Sequence, residues 1–224
     1  MSSVLAMDTK RVAVHTIDEN LTDTVQYADY FYGSLANETE RLLSSYPSEL
    51  DYIKTRAGPV SITKWSARYA NDSVLINVTG IYPDFVAEEN GKYRIDFAGF
   101  IDRLCIDYPF SSLGRIDQEF DFTIIIPEIL KIISVPKNSS EDMHAIYYNL
   151  TFSVDGNTVS KRLELTLKND TDILTYCNER KGLDLMLKQG IVAETPGLES
   201  GLTVVWVLSI LILLVLSMAY LVKR

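Results

Sequence analysis

Two histidines and two cysteines are all that this chain of 224 residues holds of the side chains most used for acid–base, thiol and metal chemistry. His15 and His144 form no His-x-x-x-His pair, and Cys105 and Cys177 form no Cys-x-x-Cys pair. Gly-x-Ser-x-Gly, phosphate-loop and dinucleotide-binding glycine patterns are missing too. These gaps exclude the common zinc, thiol-redox, serine-hydrolase and nucleotide-dependent classes, so no enzyme activity and no cofactor are expected. Positive charge is also scarce: 21 basic against 30 acidic residues leave a net charge of −9. A nucleic-acid partner needs a concentrated basic surface and is not expected. There is no internal repeat, heptad array or low-complexity tract. The length fits one sizeable domain with at most a helical appendage.

What the chain does have, in one place, is hydrophobicity. Gly201–Leu221 runs 21 residues without a charge, and at a rise of 1.5 Å per residue such a helix spans about 30 Å of hydrocarbon. Trp206 and Tyr220 stand near its ends, where amphipathic rings prefer the interface, and Lys223 and Arg224 follow. The expectation is a single transmembrane helix over 201–222, contacting the lipid bilayer, with a cytoplasmic tail of 223–224. Removing those two cations from the net charge of −9 leaves −11 on the rest of the chain.

Glycosylation acceptors indicate on which side of the membrane the body lies. Asn-x-Ser/Thr occurs at Asn20, Asn37, Asn71, Asn77, Asn138, Asn149 and Asn169. With ten asparagines and a Ser plus Thr share of about 16%, chance supplies roughly one or two such sites. A glycan needs an outward side chain. Asn77 alternates with Ile76 and Val78, and Asn149 with Tyr148 and Leu150, which puts both opposite an apolar strand face. The remaining sites fall in turn-like stretches or off a helical stripe. The reading is a cell-membrane protein, N-terminal body extracellular, with positive charge inside. Export needs a signal, yet Met1–Arg11 contains no apolar run. A start upstream is therefore expected, with residues 2–6 as the tail of a signal peptide. A tail-anchored protein with a cytoplasmic domain is the alternative.

Periodicity divides the chain further. Residues 1–22 read as a polar lead-in. Over 23–57, Ala28, Phe31, Leu35, Leu42 and Tyr46 recur at helical spacing after a Thr22 or Asp23 cap, predicting an amphipathic helix interrupted by Pro47. From 58 to 193 the period becomes two. Strands are predicted over 60–69, 73–79, 92–98, 118–126, 129–135, 145–154 and 158–167, with Asp155-Gly156-Asn157 as a hairpin turn. Seven short strands with polar outer faces predict a mainly β fold, an antiparallel β-sandwich. A short helix near 183–188 and a stalk over 194–200 complete the layout.

Cys105 and Cys177 are expected to pair outside the cytoplasm, closing a loop of about 70 residues worth roughly 3–4 kcal/mol. Asp117, Glu119 and Asp121 alternate on one predicted strand face, with Asp84, Glu88 and Glu89 earlier in sequence. Such carboxylates are the weak candidates for a Ca²⁺ site, against a solvated strand face. The expected function is a tethered cell-surface or envelope module that binds a protein partner or itself. A viral subunit for membrane penetration or fusion, using Ile124–Ile126 or Ile129–Ile133, is a second possibility.

Overall fold

The computed structural model describes residues 7–95, 116–168, 174–179 and 190–195. The described chain is mainly β. It begins with a long hairpin, β1 (Met7–Ile17) and β2 (Asp23–Tyr32), followed by helices α1 (Ser34–Ser45) and α2 (Glu49–Ala57) and a second hairpin, β3 (Ser61–Ala70) and β4 (Ser73–Tyr82). The rest comprises β5 (Val86–Glu89), β6 (Lys92–Ile95), β7 (Ile116–Ile125), β8 (Lys131–Ser134), β9 (Ser139–Asp142), β10 (Ile146–Asp155), β11 (Thr158–Leu167) and β12 (Ile191–Glu194).

Eight strands form one sheet in the order β3-β4-β2-β1-β7-β11-β10-β9, and four form a smaller sheet in the order β5-β6-β12-β8. The two sheets share a core: Phe85, Ile95, Leu130, Ile191 and Ala193 cluster with Ile17, Val25, Val78 and Ile124 of the large sheet. A second cluster lies under 174–179, where Tyr176 packs among Ile146, Tyr148, Leu150, Leu163, Leu165 and Leu167. Fully burying one such aliphatic side chain contributes about 1.5–3 kcal/mol.

Each of the seven predicted strands has a counterpart, while the N-terminal region differs from expectation. The polar lead-in 1–22 contains β1, at the centre of the large sheet, and residues 23–32 are strand rather than helix. Asp23 is not a helix cap; it is buried in β2. Along β2 burial alternates from Asp23 to Phe31, so the helical spacing of Ala28, Phe31 and Leu35 straddles a strand, a turn and a helix. The sheet is also not wholly antiparallel: β1 and β7 run parallel, Val12 opposite Asp121. The helix expected near 183–188, the stalk beyond 195 and the anchor over 201–222 lie outside the described residues. Among the described residues no helix is long and apolar enough to cross a membrane.

Local chemistry explains the helices and turns. The Ser48 hydroxyl accepts from Asp51 N at 3.2 Å and donates to the Asp51 carboxylate at 2.7 Å, closing the first turn of α2. Glu49 and Asp51 in its first turn and Lys54 and Arg56 in its last complement the helix dipole. Asn90 and Gly91 join β5 to β6 with φ of 55° and 73°, the two left-handed residues of a type I′ hairpin. Between β10 and β11, Gly156 alone is left-handed, with φ of 55°.

Candidate functional site: the uncovered face of the large sheet

In a sheet, alternate residues face opposite sides and cross-strand partners share a side. Registers therefore trace two outward rows across the large sheet. One runs Ser66, Asn77, Ala28, Val12, Asp121, Arg162, Thr151. The next runs Arg68, Leu75, Tyr30, Lys10, Glu119, Glu164, Asn149, Ser140. Every described side chain in these rows is exposed or half-buried. The opposite side carries Val74, Ile76, Val78, Phe31, Leu163 and Leu165, all buried. Among the described residues, the large sheet thus presents a broad polar platform on one side and packs its core on the other.

At the middle of the platform lies an ion-pair network. Lys10 Nζ donates to Glu119 Oε1 at 2.9 Å and pairs with Asp121 Oδ2 at 3.1 Å, while Arg162 reaches Glu119 at 3.2 Å and Glu164 at 3.1 Å. Hydrogen bonding to Lys10 holds the Glu119 carboxyl below its ordinary pKa, and the same bond raises the pKa of Lys10. Asp117 accepts from the Thr166 hydroxyl at 2.8 Å. The three carboxylates proposed as cation ligands are thus brought to one face, but each is engaged by a cation or a hydroxyl. Among the described residues no group of His, Cys, Asp and Glu is arranged to hold a metal ion. Asp84, Glu88 and Glu89 are exposed, Asp84 in the turn before β5 and the two glutamates on it.

Asn77 and Asn149 are half-buried on the platform, five strands apart, or roughly 24 Å at the usual strand spacing. They flank the ion-pair network. Asn77 Nδ2 lies 3.4 Å from Ser66 Oγ, and Asn149 Nδ2 lies 3.3 Å from Glu164 Oε2. Both contacts are long. Asn20, Asn37, Asn71 and Asn138 are exposed. Asn138 uses Oδ1, not Nδ2, to accept from Phe152 N at 2.7 Å, which keeps its amide nitrogen off that bond. Asn169 lies outside the described residues.

The two histidines sit in unlike surroundings. His15 is buried, stacked on Phe85 at 4.3 Å, with Nδ1 2.6 Å from Asp23 Oδ2. The pair joins β1 to β2 and packs against Phe85, the residue just before the small sheet. The His144 side chain is exposed; its backbone N–H and those of Ala145 and Ile146 donate to Glu179, at 3.1, 2.9 and 3.1 Å. This clamp seats the short 174–179 helix on the second core cluster. Cys177 lies on that helix; its expected partner Cys105 lies outside the described residues.

The predicted sites omit the strongest buried polar group. The Arg11 guanidinium makes a two-pronged ion pair with Asp29, and Arg56 of α2 approaches the same carboxylate at 3.9 Å. Arg11 also lies over the Tyr27 ring and Arg56 over the Phe31 ring, at 4.8 and 4.9 Å. Burial, reinforced by Asp29, pushes the Tyr27 hydroxyl up to about 12. This cluster ties α2 to the sheet and reads as architecture. Comparison with known protein-family models, curated proteins and solved structures yields no match.

Proposed function

We propose that the chain is a single-pass, N-glycosylated membrane protein whose β-sandwich body lies outside the cytoplasm and acts as a cell-surface or envelope interaction module. The observation that carries this reading is the disposition of the sequons. Of the seven sequon asparagines, six fall within the described residues, and every one of these is exposed or on the outward face of the large sheet. Two of them, Asn77 and Asn149, sit on strands that alternate buried and exposed positions, and both fall on the outward side. The sandwich reading is supported by the core shared between the two sheets, and the anchor by the charge-free run from Gly201 to Leu221. A Cys105–Cys177 disulfide belongs to the same proposal, as bridges persist in oxidising compartments.

The test is peptide mass spectrometry after glycosidase treatment in heavy-oxygen water, which converts each glycosylated asparagine to a labelled aspartate. Conversion at Asn20, Asn37, Asn71, Asn77, Asn138 and Asn149 is expected. Unconverted asparagines throughout would overturn the reading. Mass analysis with and without reductant reads the cysteine pair in the same sample, with a gain of two hydrogens on reduction expected.

A further inference from the structure

We infer that the outward face of the large sheet holds a saccharide seat, and that its occupant is the chain's own glycan on Asn149. The inference rests on the glycosylation reading proposed above and concerns where such a glycan lies. Two residues beyond Asn149 along β10 begins the outward row Thr151, Arg162, Asp121, and beyond it runs the row Ser153, Ser160, Thr123. These six side chains ring a shallow groove of about 460 Å³, within the roughly 300–1,000 Å³ of small-ligand sites. The backbone of Phe122, Phe152 and Lys161 forms its floor, because their side chains alternate to the core side, where Phe122 and Lys161 are buried.

The chemistry of the groove selects the ligand class. Thr123, Thr151, Ser153 and Ser160 offer four hydroxyls, and none of them has a hydrogen-bond partner among the described residues. Each can both donate and accept. Asp121 is held by Lys10 at 3.1 Å, and Arg162 by Glu119 and Glu164 at 3.2 and 3.1 Å, so the charges here are already matched and call for neither a cation nor an anion. The outward side chains that line the groove are all polar, which disfavours an apolar guest. A neutral polyhydroxylated ring fits: its hydroxyls donate to the serine, threonine and Asp121 oxygens and accept from Arg162. Asn149 supplies such a ring beside the groove. Thr151 lies about 7 Å from it along the strand, and the three strands β10, β11 and β7 span about 10 Å, a reach for the first sugars of an N-linked chain. The Asn149 amide nitrogen lies 3.3 Å from Glu164 Oε2. Glycosylation replaces one of its two hydrogens and leaves the other for this contact, which steadies the stem.

Timed glycosidase release from the folded full chain, in heavy-oxygen water and without denaturant, tests the seat one asparagine at a time. Asn77 is the comparator, half-buried on the same face beside Ser66 and Ala28. Release at Asn149 is expected to be about tenfold slower than at Asn77, the worth of one or two net hydrogen bonds, and the two rates should converge once the chain is unfolded. Ser160→Tyr fills the groove, while Thr123→Val combined with Ser160→Ala removes two hydroxyls and keeps its shape. Each variant should bring the Asn149 rate toward that of Asn77. Equal rates in the folded parent, or a slow Asn149 that neither variant relieves, overturn the inference and leave the glycosylation reading standing. A rate at Asn149 that rises on dilution assigns the groove to the glycan of another copy and overturns it as well. Glycan missing from Asn149 alone overturns this inference; glycan missing from every site overturns the glycosylation reading with it.

Discussion

Lys10 and Arg11 are neighbours on one strand, yet they inhabit opposite kinds of electrostatics. Lys10 faces the open platform, where its ammonium and its partners Glu119 and Asp121 keep side-chain exposures of 36%, 30% and 31%. Arg11 faces the core, where it and Asp29 retain only 7% and 5%. The half-exposed network gains modestly, because water and salt screen it and long side chains lose entropy on pairing. The buried pair has given up hydration and survives only while it remains complete. The difference teaches that a charge count says little about what holds this fold. The face a charge occupies, set by one step along β1, decides whether its loss is tolerated.

Breaking the buried side should have the largest effect. Asp29→Ala removes the two-pronged buried ion pair with Arg11 and a contact of Arg56. A loss of about 3–5 kcal/mol in chemical denaturation is expected, a large share of the roughly 5–15 kcal/mol that holds an ordinary domain. A smaller effect of opposite sign is expected at the same cluster for Tyr27→Phe. The Tyr27 hydroxyl is buried without a hydrogen-bond partner among the described residues, so deleting it should be neutral or gain up to about 1 kcal/mol. A loss above that would show that the hydroxyl has a partner the geometry does not reveal.

The platform should respond far less. Lys10→Ala is expected to cost about 0.2–1 kcal/mol, and less at high salt. Its pH signature is directional. Glu119 titrates below its ordinary value of 4.5 because Lys10 bonds the ionised form, so the network's contribution is present above pH 4.5 and is lost as pH falls through the lowered pKa. Lys10, raised above 10.5, contributes fully below that value and loses its effect as pH climbs past the raised one. Stability measured across acid pH should therefore fall less steeply in Lys10→Ala than in the parent. Equal slopes would show that the network does not couple to folding.

The same contrast explains what the sequence revealed and what it hid. Strands β4, β10 and β11 were legible because their inward positions are aliphatic: Val74, Ile76 and Val78, or Leu163, Leu165 and Leu167. β1 was not, because its inward face carries Arg11 and His15 while Val12 and Val14 point outward. Polar residues that find partners only across strands, Asp29 and Asp23, inverted the expected pattern. β2 was misread for the same reason, since Asp23 and Asp29 break its apolar alternation. The Asn90-Gly91 turn that joins β5 to β6 carries a hairpin signal, yet the strand expectations begin only at 92 and leave β5 out. The outward placement of Asn77 and Asn149 followed from period two alone, whereas the pairing of Glu119 and Asp121 with Lys10 needed the parallel β1–β7 contact, which joins segments about a hundred residues apart.

Protease added to intact cells expressing the full chain, combined with glycosidase treatment of the recovered protein, tests the central claim most directly. The account predicts that external protease digests the body and leaves a membrane-retained fragment containing 201–222, and that glycosidase lowers the mass of the undigested chain. A body protected from external protease, with a mass that glycosidase does not change, would contradict it.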